Sequence, residues 1–298
     1  MQCLYRYLIA CMWVFGFVCT CVSQSKELKA TPAPTPIQRP TPDLEMTKKK
    51  REELGSFGQH LPIDFQIPSD GIAKTLLREY GAMFVSRDGV PPRTVVFHDQ
   101  TEVSAFQKSV ESQTELIGGE PMTLQSNAMK ALLSAITDAE TRGLNVTPRD
   151  TDAASRSYDE SVSLWASRVE PALTHWLGKK KITDADAARI RSLSPYEQVS
   201  EVLKLEKRKI YFAKDLTKSI IYSVAPPGTS QHLSMLAFDV KEYDNANVRS
   251  ILAKHGWYQT VVSDLPHFTY LGVPENELQG LGLKKVKSGG RVFWVPDF

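Results

Sequence analysis

Six histidines occur in the chain, and two of them, His232 and His267, lie in dense polar surroundings on segments with a β-type pattern. The first sits in Ser230-Gln-His-Leu-Ser-Met-Leu-Ala-Phe-Asp239, the second closes Asp264-Leu-Pro-His267. A catalytic zinc takes three protein ligands from imidazole or carboxylate and keeps a fourth position open for water. His232, Asp239 and His267 would supply two neutral ligands and one anion, so a dication would stay net positive and acidify its water toward a pKa of ~7. Asp264, three residues before His267, would be placed to take that proton. The competing reading of the same residues is surface or capped histidines that hold no metal. All four cysteines (Cys3, Cys11, Cys19 and Cys21) fall near the N-terminus. The body of the chain therefore has no disulfide framework, no Cys-ligated zinc and no Cys nucleophile, and any metal site must be built from His and carboxylate.

The elements that must carry these residues follow from periodicity and turn signals. Short β-type runs are expected at Ala82–Val85 and Thr94–Phe97, and helix over residues 101–112. Residues 125–142 place Met129, Leu132, Leu133 and Ile136 on one helical face, and Gly143 ends it. Leu144–Thr147 reads as a strand, residues 157–177 as a helix with a kink or break at Pro171, and 183–205 as two helical pieces. Later the pattern turns to strands at Lys209–Phe212, Ile220–Val224, Met235–Val240, Trp257–Val262, His267–Leu271 and Arg291–Val295, with one helix over 245–255. Helices first and short strands later give an α+β class, helices packed on a small antiparallel sheet.

Composition is that of a globular protein. The 298 residues are 42% hydrophobic and 23% charged, with 36 basic and 34 acidic side chains giving a net charge of +2. That balance excludes bulk disorder, collagen and multi-span membrane proteins, and offers no field for nucleic acid. The N-terminus reads as an export signal: Arg6, then an apolar run from Leu8 to Val22, then small residues before a cut at Gln24. A retained anchor or a lipid-modified Cys21 are the alternatives. Residues 24–55, with Thr31-Pro-Ala-Pro-Thr-Pro and Arg39-Pro-Thr-Pro, read as a Pro-rich tether that holds the folded part off a membrane or wall. The expected divisions are 1–23 signal peptide, 24–55 tether, 56–120 an N-terminal extension of unknown role and 121–298 the domain that holds the candidate metal residues.

The segment Ser230 to Asp239 resembles the S-x-H-x-x-G-x-A-x-D signature of the VanY-type D-alanyl-D-alanine carboxypeptidases, which are exported zinc peptidases of the hedgehog/DD-peptidase fold. Ser230, His232, Ala237 and Asp239 match it, while Met235 stands at its Gly position. A second family element, E-P-W-H followed by an aromatic strand, reads here Asp264-Leu-Pro-His267 and then Phe268-Thr-Tyr270. The family's catalytic Glu falls on Asp264, one methylene shorter, and Pro266 replaces the aromatic. A third element, an S-G-Y-R-S-type turn opening a helix, is matched by Ala154-Ser-Arg156-Ser-Tyr158. The resemblance covers roughly residues 124–272 and implies that 121–298 is a zinc peptidase domain.

What the resemblance implies is zinc on His232, Asp239 and His267, Asp264 as catalytic base, Arg156 stabilising negative charge or binding the substrate carboxylate, and Ser230 near the substrate terminus. The implied activity is metal-activated trimming of peptidoglycan stem peptides in the periplasm or cell envelope. Three readings stay open: an active carboxypeptidase, a catalytically weak relative that binds cell-wall peptides, and an endo- or dipeptidase with the same chemistry. His175 with Trp176 reads as helix-end packing, His98 as the close of a strand, and His255 as a cation suited to a helix C-terminus.

Overall fold

The computed structural model describes residues 44–298. The expected signal segment and most of the tether lie outside these residues. No helix among the described residues is long and apolar enough to cross a membrane. The described chain belongs to one compact unit.

It opens with α1 (Leu44–Glu52), α2 (Gly55–His60) and α3 (Gly71–Tyr80), the last started by the Asp70 side chain accepting from Ala73 N–H. The tail of the stretch drawn as tether is therefore helical from Leu44. Arg51 on it ties down four carbonyls, of Gly58, Leu61, Pro62 and Ile63, and Leu54 is buried. Residues 56–120, expected as an extension of unknown role, contribute side chains to the main core. Phe57, Leu76, Leu77 and Phe84 share one apolar cluster with Trp165, Leu173, Val202, Phe212 and Trp294 from the rest of the chain.

The expected strand at Ala82–Val85 is a 3-10 helix, Gly81–Val85, buried throughout. Thr94–Phe97 joins no strand. A short apolar run bounded by turn residues fits a strand or a buried coil equally, and only its neighbours decide. After α4 (Gln100–Ser109) comes a hairpin the periodicity did not flag, β1 (Ser112–Ile117) and β2 (Glu120–Gln125), closed by Gly118-Gly119 with both φ positive. Next are α5 (Ser126–Glu140) and α6 (Tyr158–Gly178). Leu144–Thr147 is not a strand; the neighbouring Pro148 makes only an isolated bridge to Val240. Pro171 stands on an exposed face of α6 and does not break it.

The two pieces expected over 183–205 are α7 (Asp184–Ser192) and α8 (Pro195–Glu206), each opened by a reciprocal capping box. Lys209–Phe212 and Ile220–Val224 are not strands. Buried Glu206 at the end of α8 instead accepts from the N–H groups of Phe212 (3.2 Å) and Ile220 (2.7 Å) and from the Ser219 hydroxyl, stapling the loop between them. A buried carboxylate with three donors leaves those N–H groups nothing to offer a sheet.

The central sheet is β3 (Ala237–Asp239), β5 (His267–Tyr270) and β4 (Trp257–Tyr258), all antiparallel with β5 in the middle. Helix α9 (Ala246–Lys254) precedes β4, and a C-terminal hairpin, β6 (Leu283–Ser288) with β7 (Arg291–Pro296), completes the chain. The α+β class read from the sequence is the class observed, with small antiparallel sheets. Along β3 and β5 the side chains alternate. Phe238 and Phe268 enter a second apolar cluster with α5 and α9, so Asp239 and His267 face the opposite side.

Candidate metal centre

Asp239 and His267 are direct cross-strand partners in the β3–β5 ladder, which puts their side chains side by side on one face. His232 reaches the same place from a 3-10 turn, Gln231–Ser234, that ends at Met235 with φ 57° and ψ 30°. This left-handed conformation is disfavoured for a residue with a Cβ by roughly 1–2 kcal/mol. The Gly of the resembling signature thus corresponds to a turn that needs positive φ, and this chain makes the turn with Met.

Three atoms converge. His232 Nε2 lies 3.1 Å from His267 Nδ1, His267 Nδ1 lies 3.1 Å from Asp239 Oδ1, and His232 Nε2 lies 3.4 Å from that oxygen. The outer sides of both rings are committed. His232 Nδ1 is 2.7 Å from the Ala154 carbonyl, which can only accept, so Nδ1 donates. His267 Nε2 is 3.0 Å from Gln231 Oε1. That amide is oriented by its own nitrogen, which donates to the Tyr80 carbonyl at 2.8 Å, so Oε1 is an acceptor and Nε2 of His267 donates to it. In the neutral rings both inner nitrogens therefore carry lone pairs, aimed with a carboxylate oxygen at one point.

Three acceptors at such distances repel unless a cation lies between them. One option is a proton on His267 Nδ1. The other is a metal ion, and the spacing fits it: a tetrahedral site with bonds of about 2.0–2.1 Å has edges of roughly 3.3 Å. The donor set, two imidazoles and a carboxylate, is that of a zinc site with an open position. Burial of His232 holds its imidazole below the usual range, in the neutral form that binds metal. Burial pushes the Asp239 carboxyl up, but His232 and His267 outweigh this and hold it well below the usual carboxylate range.

The triangle lies in the wall of an open cleft of about 310 Å³. Asp264 lines the same cleft. Its surface meets solvent at the rim, yet desolvation by the protein packed round it pushes its carboxyl up, and the neighbouring Asp239 charge adds to this. Arg156 also lines the cleft, just before α6, whose N-cap is Ser157 with its capping box to Glu160. Arg156 pairs with Asp152 at 2.8 Å, and its other terminal nitrogen is 3.5 Å from Ser230 Oγ. The loop carrying it wraps the centre: Ala154 anchors His232, the Ala153 carbonyl accepts from Asp239 N–H, and Arg156 N–H donates to the His232 carbonyl.

The structure thus brings together all six residues singled out by sequence: Arg156, Ser230, His232, Asp239, Asp264 and His267. Sequence reasoning missed Gln231, which is 1% exposed, Asp152, the Arg156 partner, and Arg168, which lines the same cleft with Tyr222 and Ser223. Arg168 has no carboxylate partner among the described residues; its Nε donates to Ser223 Oγ at 3.3 Å. Gln231 had one local signal, its place beside His232. Arg168 had none, since it sits on an ordinary turn of α6. The histidines read as bystanders are elsewhere: His175 packs edge-on against Trp176, and His255 caps α9 within 3.4 Å of Asp138.

No family model matches the chain, and no curated protein sequence matches it. Among solved structures the chain is similar to that of the LD-carboxypeptidase LdcB, a structure described as revealing the basis of peptidoglycan recognition. The two share 17% identity over 50% of this chain and 60% of that one, with a TM-score of 0.31. At this identity and score the likeness is loose, and the functional reading rests on the centre's own geometry.

Proposed function

We propose that the protein is a zinc-dependent carboxypeptidase-like hydrolase that trims peptidoglycan stem peptides, with the metal held by His232, Asp239 and His267. The observation that carries the metal is the convergence of three lone pairs at tetrahedral spacing in the wall of an open cleft. The substrate class follows the resemblance of the Ser230–Asp239 and Asp264–His267 segments to the VanY-type signature, and export through the N-terminal segment belongs to the same proposal.

A zinc ion held there supplies Lewis acidity to a substrate carbonyl and brings the pKa of a water to about 7. Asp264, which lines the same cleft as the three ligands, accepts the proton of the attacking water and returns it to the leaving amine. Arg156, pre-positioned by Asp152, faces the negative charge that develops on the carbonyl oxygen. Arg168, which pairs with no carboxylate among the described residues, receives the terminal carboxylate of the peptide. Ser230, whose hydroxyl is 3.5 Å from a terminal nitrogen of Arg156, hydrogen-bonds to the substrate beside that guanidinium.

The test is metal analysis of the purified protein with a stem-peptide digest read by mass spectrometry, using peptides with free and amidated C-termini. Zinc near one equivalent, with loss of the terminal residue from the free acid, supports the reading. Bound zinc without turnover supports a peptide-binding module, for which the shortened acid at Asp264 is the pertinent feature. Cleavage of free and amidated peptides alike points to an endopeptidase.

A further inference from the structure

The hydrogen bonds of Gln231 carry a specific role. Its amide is fully engaged and almost fully buried. The nitrogen donates to the Tyr80 carbonyl at 2.8 Å and faces Thr260 Oγ1 at 3.4 Å. The oxygen accepts from His267 Nε2 and from the Thr269 hydroxyl. Flipping the amide would set its oxygen against the Tyr80 carbonyl and its nitrogen against the His267 N–H, so one orientation is enforced. An acceptor fixed at Nε2 keeps the proton there and leaves Nδ1 as the lone pair facing Asp239 and His232.

We propose that Gln231 is a positioning residue that selects the metal-binding tautomer of His267, and that the segment before the catalytic elements acts on the metal centre through the Tyr80 carbonyl. This rests on reading the triangle as a metal site. It gives residues 56–120 a role the sequence did not reveal. Tyr80 ends α3, whose Leu76 and Leu77 are locked in the first apolar cluster, so the carbonyl is held by packing rather than by the centre itself. The Tyr80 hydroxyl donates to the Ile221 carbonyl, which fixes the same residue at its other end against the cleft wall. A partner of this kind to a ligating histidine fixes ring orientation and raises ligand basicity, and its loss typically weakens metal binding about 10–100-fold.

The experiment measures zinc affinity by competition with a chromophoric chelator for the wild type, Gln231→Met, Gln231→Glu and His232→Ala. Gln231→Met keeps the volume and removes both the acceptor and the donor; its zinc affinity should fall about 10–100-fold. Gln231→Glu keeps an acceptor for Nε2 but loses the donor to the Tyr80 carbonyl, so it should recover only part of that loss, and recovery to the wild-type affinity would overturn the role given to Tyr80. The thermal transition of each metal-free variant separates a folding defect from a ligand effect. Ring ¹⁵N shifts of the zinc-loaded wild type should show His267 metallated at Nδ1 with its proton on Nε2, a readout that needs no variant. Equal zinc affinity in the wild type and Gln231→Met, or metallation of His267 at Nε2, overturns the proposal. If the wild type binds zinc no better than His232→Ala, the metal reading itself has failed.

Discussion

Metal removal is the perturbation that bears most directly on the centre. Without a cation, two imidazole lone pairs and a carboxylate oxygen face one another at 3.1–3.4 Å inside the protein. Zinc binds the folded chain through all three and the unfolded chain through none in concert. Free zinc at a hundred times its dissociation constant therefore stabilises the fold by about 2.7 kcal/mol. For a domain of this size each kcal/mol moves the melting temperature by about 2–4 °C, so zinc should raise Tm by about 5–11 °C over the chelated protein. His232→Ala and His267→Ala each leave two ligands, and most of that rise should vanish at the same zinc concentration. Differential scanning calorimetry on chelated and zinc-loaded samples, with metal content measured alongside, reads both quantities. A Tm unmoved by zinc would mean that a proton, not a metal, fills the triangle. Stoichiometric zinc in both histidine variants would mean that the metal binds elsewhere.

Asp264→Ala should keep zinc but lower kcat/KM by about 10²–10⁴-fold, measured on the stem-peptide digest, because the base is lost and the ligands are not. In the wild type the base works only when ionised, so the kcat/KM of the zinc-loaded enzyme should fall on the acid side as the Asp264 carboxyl takes up a proton, and that limb should be missing from the residual activity of Asp264→Ala. Met235→Gly should be more stable to denaturant than Met235→Ala by about 1–2 kcal/mol, since both lose the side chain and only Gly relieves the left-handed turn. For Glu206, burial raises the folded pKa above the unfolded one, so the folded state binds more protons between the two and this group's contribution to stability falls as pH rises through that window. Glu206→Gln should remove that slope in pH-dependent urea melts. Glu206→Ala should cost about 2–4 kcal/mol at any pH, by stranding the Phe212 and Ile220 N–H groups.

The local chemistry of the chain determined a good deal by itself. Helix starts were written in capping residues: Ser157 with Glu160, Thr183 with Asp186 and Ser194 with Glu197. The alternation Phe238-Asp239 against His267-Phe268 already separates a core face from a polar face once the two runs are taken as strands. The residues of the centre were legible because two short segments hold them all but Arg156, and because a body without cysteine leaves only imidazole and carboxylate to ligate.

What the sequence did not determine was whatever a distant segment supplies. The strand-like runs at 82–85, 94–97, 209–212 and 220–224 have the right residues, but no neighbouring strand is there to receive their N–H groups. Glu206 takes those of Phe212 and Ile220 instead. The direction of each lone pair in the centre is likewise a tertiary fact. The Ala154 carbonyl decides it for His232, and Gln231, oriented by Tyr80, decides it for His267. Residue type and spacing choose which atoms can bind a cation. Only packing between segments far apart in the chain fixes which ring nitrogen holds the proton, because that choice depends on an acceptor held within hydrogen-bond distance of the opposite edge of the ring.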